Sequence, residues 1–289
     1  MRPPSVAGIF YAEDAPSLAR QIAGCFERAI GRVPTVAATR QGRVRAILVP
    51  HAGLRYSGAV AAHAYAALAE DGLPETFVLI GPDHHAGGSA AVNASSEDWR
   101  TPMGTARTDG ELLQSILALE TVVVDESAHV AEHSLEVQLP FLQFLVGAGR
   151  EVRFVAVAIT LQDEEAVREL AQTLAKAAGG RDVAIVATSD LSHIGPGFGV
   201  YPPRDASLAA WATRRDEPAL ALIEAGEGLK ALDYVRSYDL GWCGAAPWAA
   251  ALRAANAMGG GTVRRLARAT SHDVEPGRDC VGYASFAVG

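Results

Sequence analysis

Short apolar runs alternate with amphipathic stretches along the whole chain, which predicts strands alternating with helices. Three runs, residues 44–49, 76–80 and 183–188, combine β-branched and aliphatic residues over lengths typical of buried strands. Buried strands separated by helices are typical of parallel sheets that are covered on both faces. The pattern therefore predicts an α/β protein, a single three-layer α/β/α domain over residues 1–289 with a mostly parallel central sheet.

The same periodicities predict the remaining elements. Helices are expected at residues 17–30, 58–70, 109–119, 163–178, 205–224, 229–238 and 248–258, with a break near Pro218. Further strands are expected at residues 121–125, 151–159, 262–270 and 280–287. Residues 97–104 are rich in turn formers, and residues 131–142 carry an apolar helical face with Glu132 and His133 near its start.

Each of the three apolar runs ends in a turn that carries histidine. The first run is followed by His51, the second by His84 and His85, and the third by Asp190 and His193. The carboxyl ends of parallel strands lie along one edge of a sheet, and open α/β sheets bind their ligands there. We therefore expect these side chains to converge.

Composition and charge argue against several classes of protein. The 289 residues carry a formal net charge of -8 and no block of Lys or Arg, so nucleic acid is not expected as a partner. No apolar stretch reaches transmembrane length and the N-terminus lacks a hydrophobic signal core, so we predict no membrane contact and a cytoplasmic location. Cys25, Cys243 and Cys280 are widely spaced, which argues against a disulfide framework or a structural zinc knuckle. The excess of Ala and Arg over Ile and Lys indicates a GC-rich bacterial genome.

The side chains that could carry chemistry are imidazoles, one carboxylate and one thiol. They belong to His51, His84, His85, His133, Asp190, His193 and Cys243. Imidazole and thiolate favour zinc, iron or copper, and two histidines with one anionic ligand suit a non-haem Fe(II) centre that binds substrate and dioxygen at vacant positions. Cys243 precedes a predicted helix whose dipole should depress the pKa of the thiol, so a His-activated cysteine nucleophile is the competing use. Histidines with unrelated structural roles are the third alternative.

Eight sequence blocks follow one another in an order that resembles the Memo family, which includes the bacterial proteins called AmmeMemoRadiSam system protein B. The blocks cover nearly the whole chain and read PSVAGIFY, VPHAGLRYSG, VLIGPDHH, TPMG, EHSLEVQLPFLQ, TSDLSHIG, CGAAPW and VGYASFA. The resemblance implies a fold similar to class III extradiol dioxygenases, in which two histidines and a carboxylate hold a mononuclear Fe(II). In Memo proteins the corresponding pocket presents two histidines and a cysteine, with an aspartate and a further histidine nearby.

Carried onto this chain, the resemblance implies a ligand set and a supporting set. The implied metal ligands are His51 of the HAG block, His84 of the GPDHH block and Cys243 of the CGAAP block. The implied catalytic residues are Asp190 and His193 of the SDLSH block and His133 of the EHS block. Asp83 stands where a small neutral or amide residue is expected. Three roles are open for Asp83. Its carboxylate could raise the local metal affinity, it could hydrogen-bond His85, or it could simply belong to a surface turn.

The resulting hypothesis is a mononuclear non-haem iron protein, with Fe(II) favoured and copper or zinc as alternatives. A small organic substrate and dioxygen are the expected ligands, His193 the acid, base or hydrogen-bond donor, and Asp190 the residue that orients His193 or a ligand histidine. The resemblance also implies operation beside a radical SAM protein and an AMMECR-type protein.

Two alternatives stay open. One is a binding or adaptor protein with a vestigial metal pocket, since eukaryotic Memo proteins are linked with signalling complexes. The other is a Cys-His hydrolase.

Overall fold

The strands of the chain form one mixed sheet. A computed structural model describes residues 1–147 and 149–289, and within these residues the sheet has eleven strands. They are β1 (Ala46–Val49), β2 (Thr76–Pro82), β3 (Val92–Ala94), β4 (Trp99–Thr101), β5 (Gly104–Thr108), β6 (Val123–Val124), β7 (Arg153–Ile159), β8 (Val183–Thr188), β9 (His193–Ile194), β10 (Val263–Thr270) and β11 (Cys280–Val288). The main order across the sheet is β10-β11-β1-β8-β2-β7-β3-β6.

The centre of the sheet is parallel and its flanks are antiparallel. Strands β1, β8, β2 and β7 pair in parallel, whereas β11 runs antiparallel to β1 and β10, and β3 runs antiparallel to β7. Parallel neighbours need crossover connections, which the intervening helices supply. Because β1, β2 and β8 point the same way, their carboxyl ends bring the segments that follow them to one edge of the sheet.

Helices cover both faces of the sheet. They are α1 (Ala15–Ile30), α2 (Leu54–Asp71), α3 (Gly110–Leu117), α4 (Leu139–Val146), α5 (Glu164–Ala177), α6 (Leu208–Glu224), α7 (Gly228–Ser237) and α8 (Ala245–Ala257). Buried residues of α1, α2 and α4 share one hydrophobic core, and those of α3 and α5 to α8 share the other. The predicted three-layer α/β/α architecture is therefore confirmed, while the extent of the domain, residues 1–289, stays a prediction.

Successive side chains of the central strands pack alternately into the two hydrophobic cores. In β1, Ile47 belongs to the core under α1 and α2, whereas its neighbours Ala46 and Leu48 belong to the core under α5 and α8. Side chains of a strand point alternately to opposite faces, so a strand covered on both sides must be apolar at every position. This requirement explains why the strands appear in the sequence as continuous apolar runs.

Two helices begin earlier than predicted, and both lie beside the expected site. Helix α2 begins at Leu54 rather than at residue 58, so the turn that carries His51 leads almost directly into the helix. Helix α8 begins at Ala245 rather than at residue 248, with Pro247 in its first turn. The first turn of a helix lacks intrahelical partners for its N–H groups, so proline is tolerated there.

The predicted break near Pro218 is wrong, because α6 runs without interruption from Leu208 to Glu224. Proline removes the hydrogen bond to the carbonyl four residues earlier, which belongs to Arg214. Both residues are exposed, so water can hydrate the carbonyl that the proline leaves free.

Two other segments differ from the prediction. The turn-rich stretch at residues 97–104 contains β4 and the start of β5, which form an antiparallel hairpin. In the segment 131–142, Glu132 and His133 lie in a loop, and a 3₁₀ turn at Glu136–Gln138 precedes α4. Among the residues that the structure describes, no helix has the length and apolar character needed to cross a bilayer.

Candidate metal centre

The thiol of Cys243 lies against the imidazole of His51. His51 follows β1 after one proline, and Cys243 lies just ahead of α8. The Sγ atom is 3.1 Å from Nε2 of His51, and it accepts a hydrogen bond of 3.2 Å from the backbone N–H of Asp190. The other ring nitrogen of His51, Nδ1, is 2.9 Å from Oγ1 of Thr188 at the end of β8. A hydroxyl can accept from Nδ1–H, which would leave Nε2 free to bind a metal.

His84 is oriented by the buried carboxylate of Glu132, which the sequence places at a predicted helix start, as a helix cap or a residue that supports the site, and not among the candidate site residues. Nδ1 of His84 lies 2.9 Å and 3.1 Å from the two carboxylate oxygens of Glu132. Glu132 also accepts hydrogen bonds from the backbone N–H groups of His84 and Ser134. An ionised carboxylate only accepts hydrogen bonds, so Nδ1 of His84 carries a proton and Nε2 is the nitrogen left for a metal. This carboxylate–histidine pairing is the arrangement that fixes metal-binding histidines.

Three donor groups from distant parts of the chain meet at one point. One donor atom each from His51, His84 and Cys243 lie within 4.8 Å of one another. The rings of His51 and His84 are 5.2 Å apart and nearly perpendicular. Metal–ligand bonds of about 2.0–2.3 Å place the ligand atoms of a tetrahedral ion roughly 3.3–3.6 Å apart. Small side-chain adjustments would therefore suffice to bring these donors onto one ion, so the residues fit a transition metal.

His133 packs against both histidines and extends the cluster. Its ring stacks on that of His84 at 4.7 Å and meets that of His51 edge-on at 5.6 Å. His84, Glu132 and His133 form a second group, and one donor atom from each lies within 4.8 Å of the other two. Phe10 covers the ring of His133 at 4.8 Å. The cluster thus has three imidazoles, one thiol and one buried carboxylate.

Burial and the carboxylate set the protonation of the imidazoles. Burial lowers the pKa of His51 well below its usual value, and it lowers the pKa of His133 to about 4. Burial also opposes the charged form of His84, but the hydrogen bond and the charge of Glu132 outweigh it and raise the pKa of His84. Burial disfavours ionised Glu132, yet the interactions with His84 dominate and the pKa of the carboxyl falls. His51 and His133 are consequently neutral at pH 7 and have lone pairs for a metal or a proton.

The predicted depression of the Cys243 pKa is wrong for the metal-free protein. Burial raises the pKa of the thiol well above its ordinary value, and the charge of Asp190 raises it further. The hydrogen bond from the backbone of Asp190 opposes this shift without cancelling it. A helix terminus supplies only a partial charge, which does not offset the loss of water around the sulfur.

Asp190 holds the backbone of the His51 turn and has no hydrogen bond to a histidine ring. Its Oδ1 accepts from the N–H groups of His51 and Ala52 at 2.8 Å and 3.3 Å. Burial raises the pKa of Asp190, although nearby His193 and these two hydrogen bonds act to lower it. Among the residues that the structure describes, the carboxylate of Asp190 thus orients His51 through its main chain and not through its ring.

His193 and His85 lie outside the donor cluster. Nδ1 of His193 hydrogen-bonds the carbonyl oxygen of Gly241 at 3.1 Å, and its ring meets Phe198 edge-on at 4.9 Å. His85 is exposed and reaches the carbonyl of Ala131. Both imidazoles therefore lie outside the group formed by His51, His84 and Cys243.

Asp83 organises the loop that carries His84. Its Oδ1 accepts from the backbone N–H of His85, and its Oδ2 accepts from the N–H of Gly88 and the hydroxyl of Thr160. Of the three predicted uses, hydrogen bonding to His85 is therefore observed, through the main chain.

Comparison with known proteins identifies the family of the chain. A family model described as Memo-like protein matches residues 2–287. The chain belongs to the Memo family. The resemblance read from the eight sequence blocks is thereby confirmed.

Archaeal Memo relatives match over their full lengths. The chain is 36% identical over 291 residues to MEMO1 family protein MK0963 of Methanopyrus kandleri, covering 99% of this chain and 98% of the relative. It is 36% identical over 290 residues to MEMO1 family protein MTH_45 of Methanothermobacter thermautotrophicus, covering 98% and 99%. It is 38% identical over 293 residues to a MEMO1 family protein of Ignicoccus hospitalis, covering 99% and 97%. A bacterial origin for this chain stays a prediction.

A solved structure supports the fold class. The uncharacterized protein JW3007 from Escherichia coli K12 superimposes with a TM-score of 0.55 at 16% sequence identity, covering 86% of this chain and 100% of that chain. At this identity the likeness concerns the fold alone. It agrees with the α/β class predicted from the sequence, and the chemistry must be argued from the side chains.

Proposed function

We propose that this Memo-family chain is a mononuclear non-haem iron oxidoreductase that holds Fe(II) with His51, His84 and Cys243. The observation that supports the proposal is the meeting of two imidazoles and one thiol, with donor atoms within 4.8 Å of one another. Glu132 fixes the ring of His84 with Nε2 free, and Thr188 can do the same for His51. Three protein ligands leave coordination positions open, as catalytic sites require.

Iron is the favoured metal because of the donor set and the family's likeness to extradiol dioxygenases. Imidazole and thiolate also bind copper and zinc, so these ions are the alternatives to be distinguished by elemental analysis. When bound, Fe(II) would supply one-electron redox chemistry and vacant positions for dioxygen and a small organic substrate. A thiolate donates more electron density than a carboxylate, so the chemistry should differ from ring cleavage. Cys243 should also be prone to oxidation.

The surrounding residues have roles that follow from their positions. His133 is neutral at pH 7 and stacks on His84, so its ring can accept or donate a proton beside the substrate. His193 borders the site, where its free Nε2 can hydrogen-bond substrate or dioxygen while Nδ1 is held by Gly241. Asp190 keeps the His51 turn in place through two backbone N–H groups.

The Cys-His hydrolase is a weaker candidate on electrostatic grounds. A cysteine nucleophile works as a thiolate beside a protonated histidine. Here burial raises the pKa of Cys243 and lowers the pKa of His51, which favours the neutral pair. A metal cation at this point would instead stabilise the thiolate, because metal binding releases the ligand protons.

The proposed partner proteins rest on the family resemblance, and the proposed location rests on the charge and the apolar pattern of the sequence. We include a radical SAM protein and an AMMECR-type protein as proposed partners, and a cytoplasmic location without nucleic-acid or membrane contacts as the proposed setting. Association of the purified proteins, measured by analytical ultracentrifugation, would test the two partners directly.

The test of the proposed centre is anaerobic reconstitution with Fe(II), followed by elemental analysis. His51→Ala, His84→Ala and Cys243→Ser should each remove most of the bound iron, because two remaining ligands hold the ion weakly. His85→Ala is the matched control, since His85 is exposed, adjacent in sequence and outside the donor cluster. Equal iron content in wild type and all three ligand variants would refute the ligand assignment. Wild type that takes up no metal would leave the adaptor alternative.

A further inference from the structure

The N-terminal strap, defined as residues 2–11, is fastened to the loop that carries Glu132. Arg2 is only 4% exposed although it lies near the chain terminus. Three different nitrogens of its guanidinium donate hydrogen bonds to separate acceptors: Nε to the carbonyl of His129 at 2.5 Å, Nη2 to the carbonyl of Glu132 at 2.6 Å, and Nη1 to Oε2 of Glu136 at 2.7 Å. Nη1 also donates to the carbonyl of Pro3 at 3.4 Å. The guanidinium also stacks over the ring of Trp99 at 4.2 Å.

Glu136 anchors the same strap at several further points. Its carboxylate is fully buried and accepts from the N–H groups of Ser5 and Val6 and from the hydroxyl of Tyr11, besides its ion pair with Arg2. A buried carboxylate with this many donors is fully satisfied and holds its neighbours in one arrangement. The strap and the 129–136 segment therefore form one hydrogen-bonded unit.

This unit reaches both sides of the donor cluster. At one end, Arg2 holds the carbonyl of Glu132, while the side chain of Glu132 holds Nδ1 of His84. At the other end, the ring of Phe10 packs on His133, and the carbonyl of Phe10 accepts from the N–H of Leu54, the first residue of α2. Leu54 is three positions beyond His51.

We propose that Arg2 is a positioning residue for the metal centre, which it acts on by fixing Glu132 and thereby the ring of His84. The inference rests on the proposed function, because it requires His84 to be a metal ligand. The guanidinium fork is suited to the task, since its nitrogens point in fixed directions toward separate acceptors. Lysine keeps the positive charge beside Glu136 but has one nitrogen, which cannot reach all three oxygens.

The expected effect concerns metal affinity. Removing the hydrogen-bonded partner of a ligand histidine lowers affinity roughly 10–100-fold. Arg2 does not touch His84 and acts on it only through Glu132. Arg2→Lys should therefore lower the metal affinity about tenfold, at the lower end of that range. The protein should still fold, because the charge that pairs with Glu136 is kept. Arg2→Ala would leave Glu136 buried without a cation, so the lysine variant is the informative one.

The experiment is anaerobic titration with Co²⁺ alone, followed by the ligand-field and thiolate-to-metal absorption bands. Tyr11→Phe is the matched control, because it removes one hydrogen bond from the same buried Glu136 but leaves the contact between Arg2 and Glu132 intact. We expect Tyr11→Phe to lower the melting temperature of the metal-free protein while its Co²⁺ affinity stays within twofold of wild type. Arg2→Lys should weaken Co²⁺ binding and shift the ligand-field bands.

A double variant tests the route through Glu132. If Arg2 acts by placing that carboxylate, Arg2→Lys should have no further effect on Co²⁺ affinity in a Glu132→Ala background. Unchanged affinity and spectrum in Arg2→Lys, or an equal loss in Tyr11→Phe, would overturn the inference. So would a full additive loss in the double variant. Failure of wild type to bind Co²⁺ through His84, judged by His84→Ala, would instead refute the proposed centre itself.

Discussion

The Sγ atom of Cys243 lies 3.1 Å from Nε2 of His51, although 192 positions separate the two residues. The contact depends on how closely the start of α8 approaches the end of β8. Gly244 donates its N–H to the hydroxyl of Ser189 at 2.9 Å, and Gln162 donates to the carbonyl of Cys243 at 2.6 Å. The side chains of Ser189 and Gln162 thus hold both polar groups of the Cys243–Gly244 peptide and thereby place the thiol.

A methyl group at residue 244 should displace the thiol. A Cβ atom there would lie 2.0 Å from the carbonyl oxygen of Thr188 and 2.8 Å from Cβ of Ser189, so the backbone would have to move. We expect Gly244→Ala to lower the free energy of unfolding by about 1–3 kcal/mol, as overpacking does, and to reduce iron binding. Urea denaturation and elemental analysis measure both effects.

Gly110→Ala is the control for that variant. A Cβ at residue 110 would meet no atom within 4 Å, so stability and iron content should stay close to wild type. Full iron loading of Gly244→Ala would contradict the close approach of α8 and β8.

Replacement of Glu132 by glutamine should weaken metal binding without removing any ligand. The amide cannot pair as strongly with Nδ1–H of His84 and can force the other tautomer, so we expect a loss of roughly 10–100-fold in affinity. Competition with a chelator of known affinity measures it. Asp83→Asn provides a comparison, because Asp83 binds loop N–H groups and the hydroxyl of Thr160 and makes no hydrogen bond to the ring of His84. An equal loss in Asp83→Asn would show a general loosening of the loop.

The thiol of Cys243 should react slowly with iodoacetamide in metal-free protein at pH 7. Its pKa is raised by burial and by the charge of Asp190, so the reactive thiolate is scarce there. The rate should rise about tenfold per pH unit between pH 7 and pH 9, which peptide mass spectrometry can follow.

Asp190→Asn removes one cause of the raised pKa of Cys243, so the whole rate profile should move to lower pH. Cys25 is an internal control, because it is fully buried and burial raises the pKa of its thiol to about 11. Rapid, pH-independent labelling of Cys243 at pH 6–7 would instead support a nucleophilic thiolate.

Acid should destabilise the fold through a buried histidine away from the site. Neither ring nitrogen of His129 has a hydrogen-bond partner in the part of the chain that the structure describes, and burial lowers the pKa of this histidine to about 4. The unfolded chain takes up the proton near pH 6.5, so it binds more protons than the folded protein between these pH values. Stability should therefore fall as pH drops from about 6.5 to 4, by about 3 kcal/mol for this residue.

His129→Phe should make the loss of stability in acid less steep, because phenylalanine fills the place beside Trp99 without a titrating group, while buried His51 and His133 keep their own contributions. Urea denaturation at pH 7, 5.5 and 4.5 measures the slope. His63→Gln is the comparison, since His63 is only partly buried and should change the slope much less. The same acid slope in His129→Phe and wild type would mean that other groups govern acid unfolding.

The sequence by itself determined the architecture and most of the donors. Short continuous apolar runs that alternate with helical patterns favour strands covered on both faces, which predicts the three-layer arrangement and brings the turns after β1, β2 and β8 to one edge. The ordered sequence blocks then pointed to His51, His84 and Cys243 as the metal ligands. The architecture could be predicted because strand periodicity and strand direction are local properties, whereas the ligand assignment rests on the family resemblance and stays a prediction.

Only the tertiary structure decided how those donors are held and charged. Glu132, in a loop rather than a helix, pairs with the ring of His84, and Arg2 holds that loop from the other end of the chain. The pKa of Cys243 is raised rather than depressed, because burial by distant segments outweighs the nearby helix terminus. Hydrogen bonds across more than a hundred positions and the loss of water around a buried group leave no periodic pattern in the sequence, so they become visible only once the chain is folded.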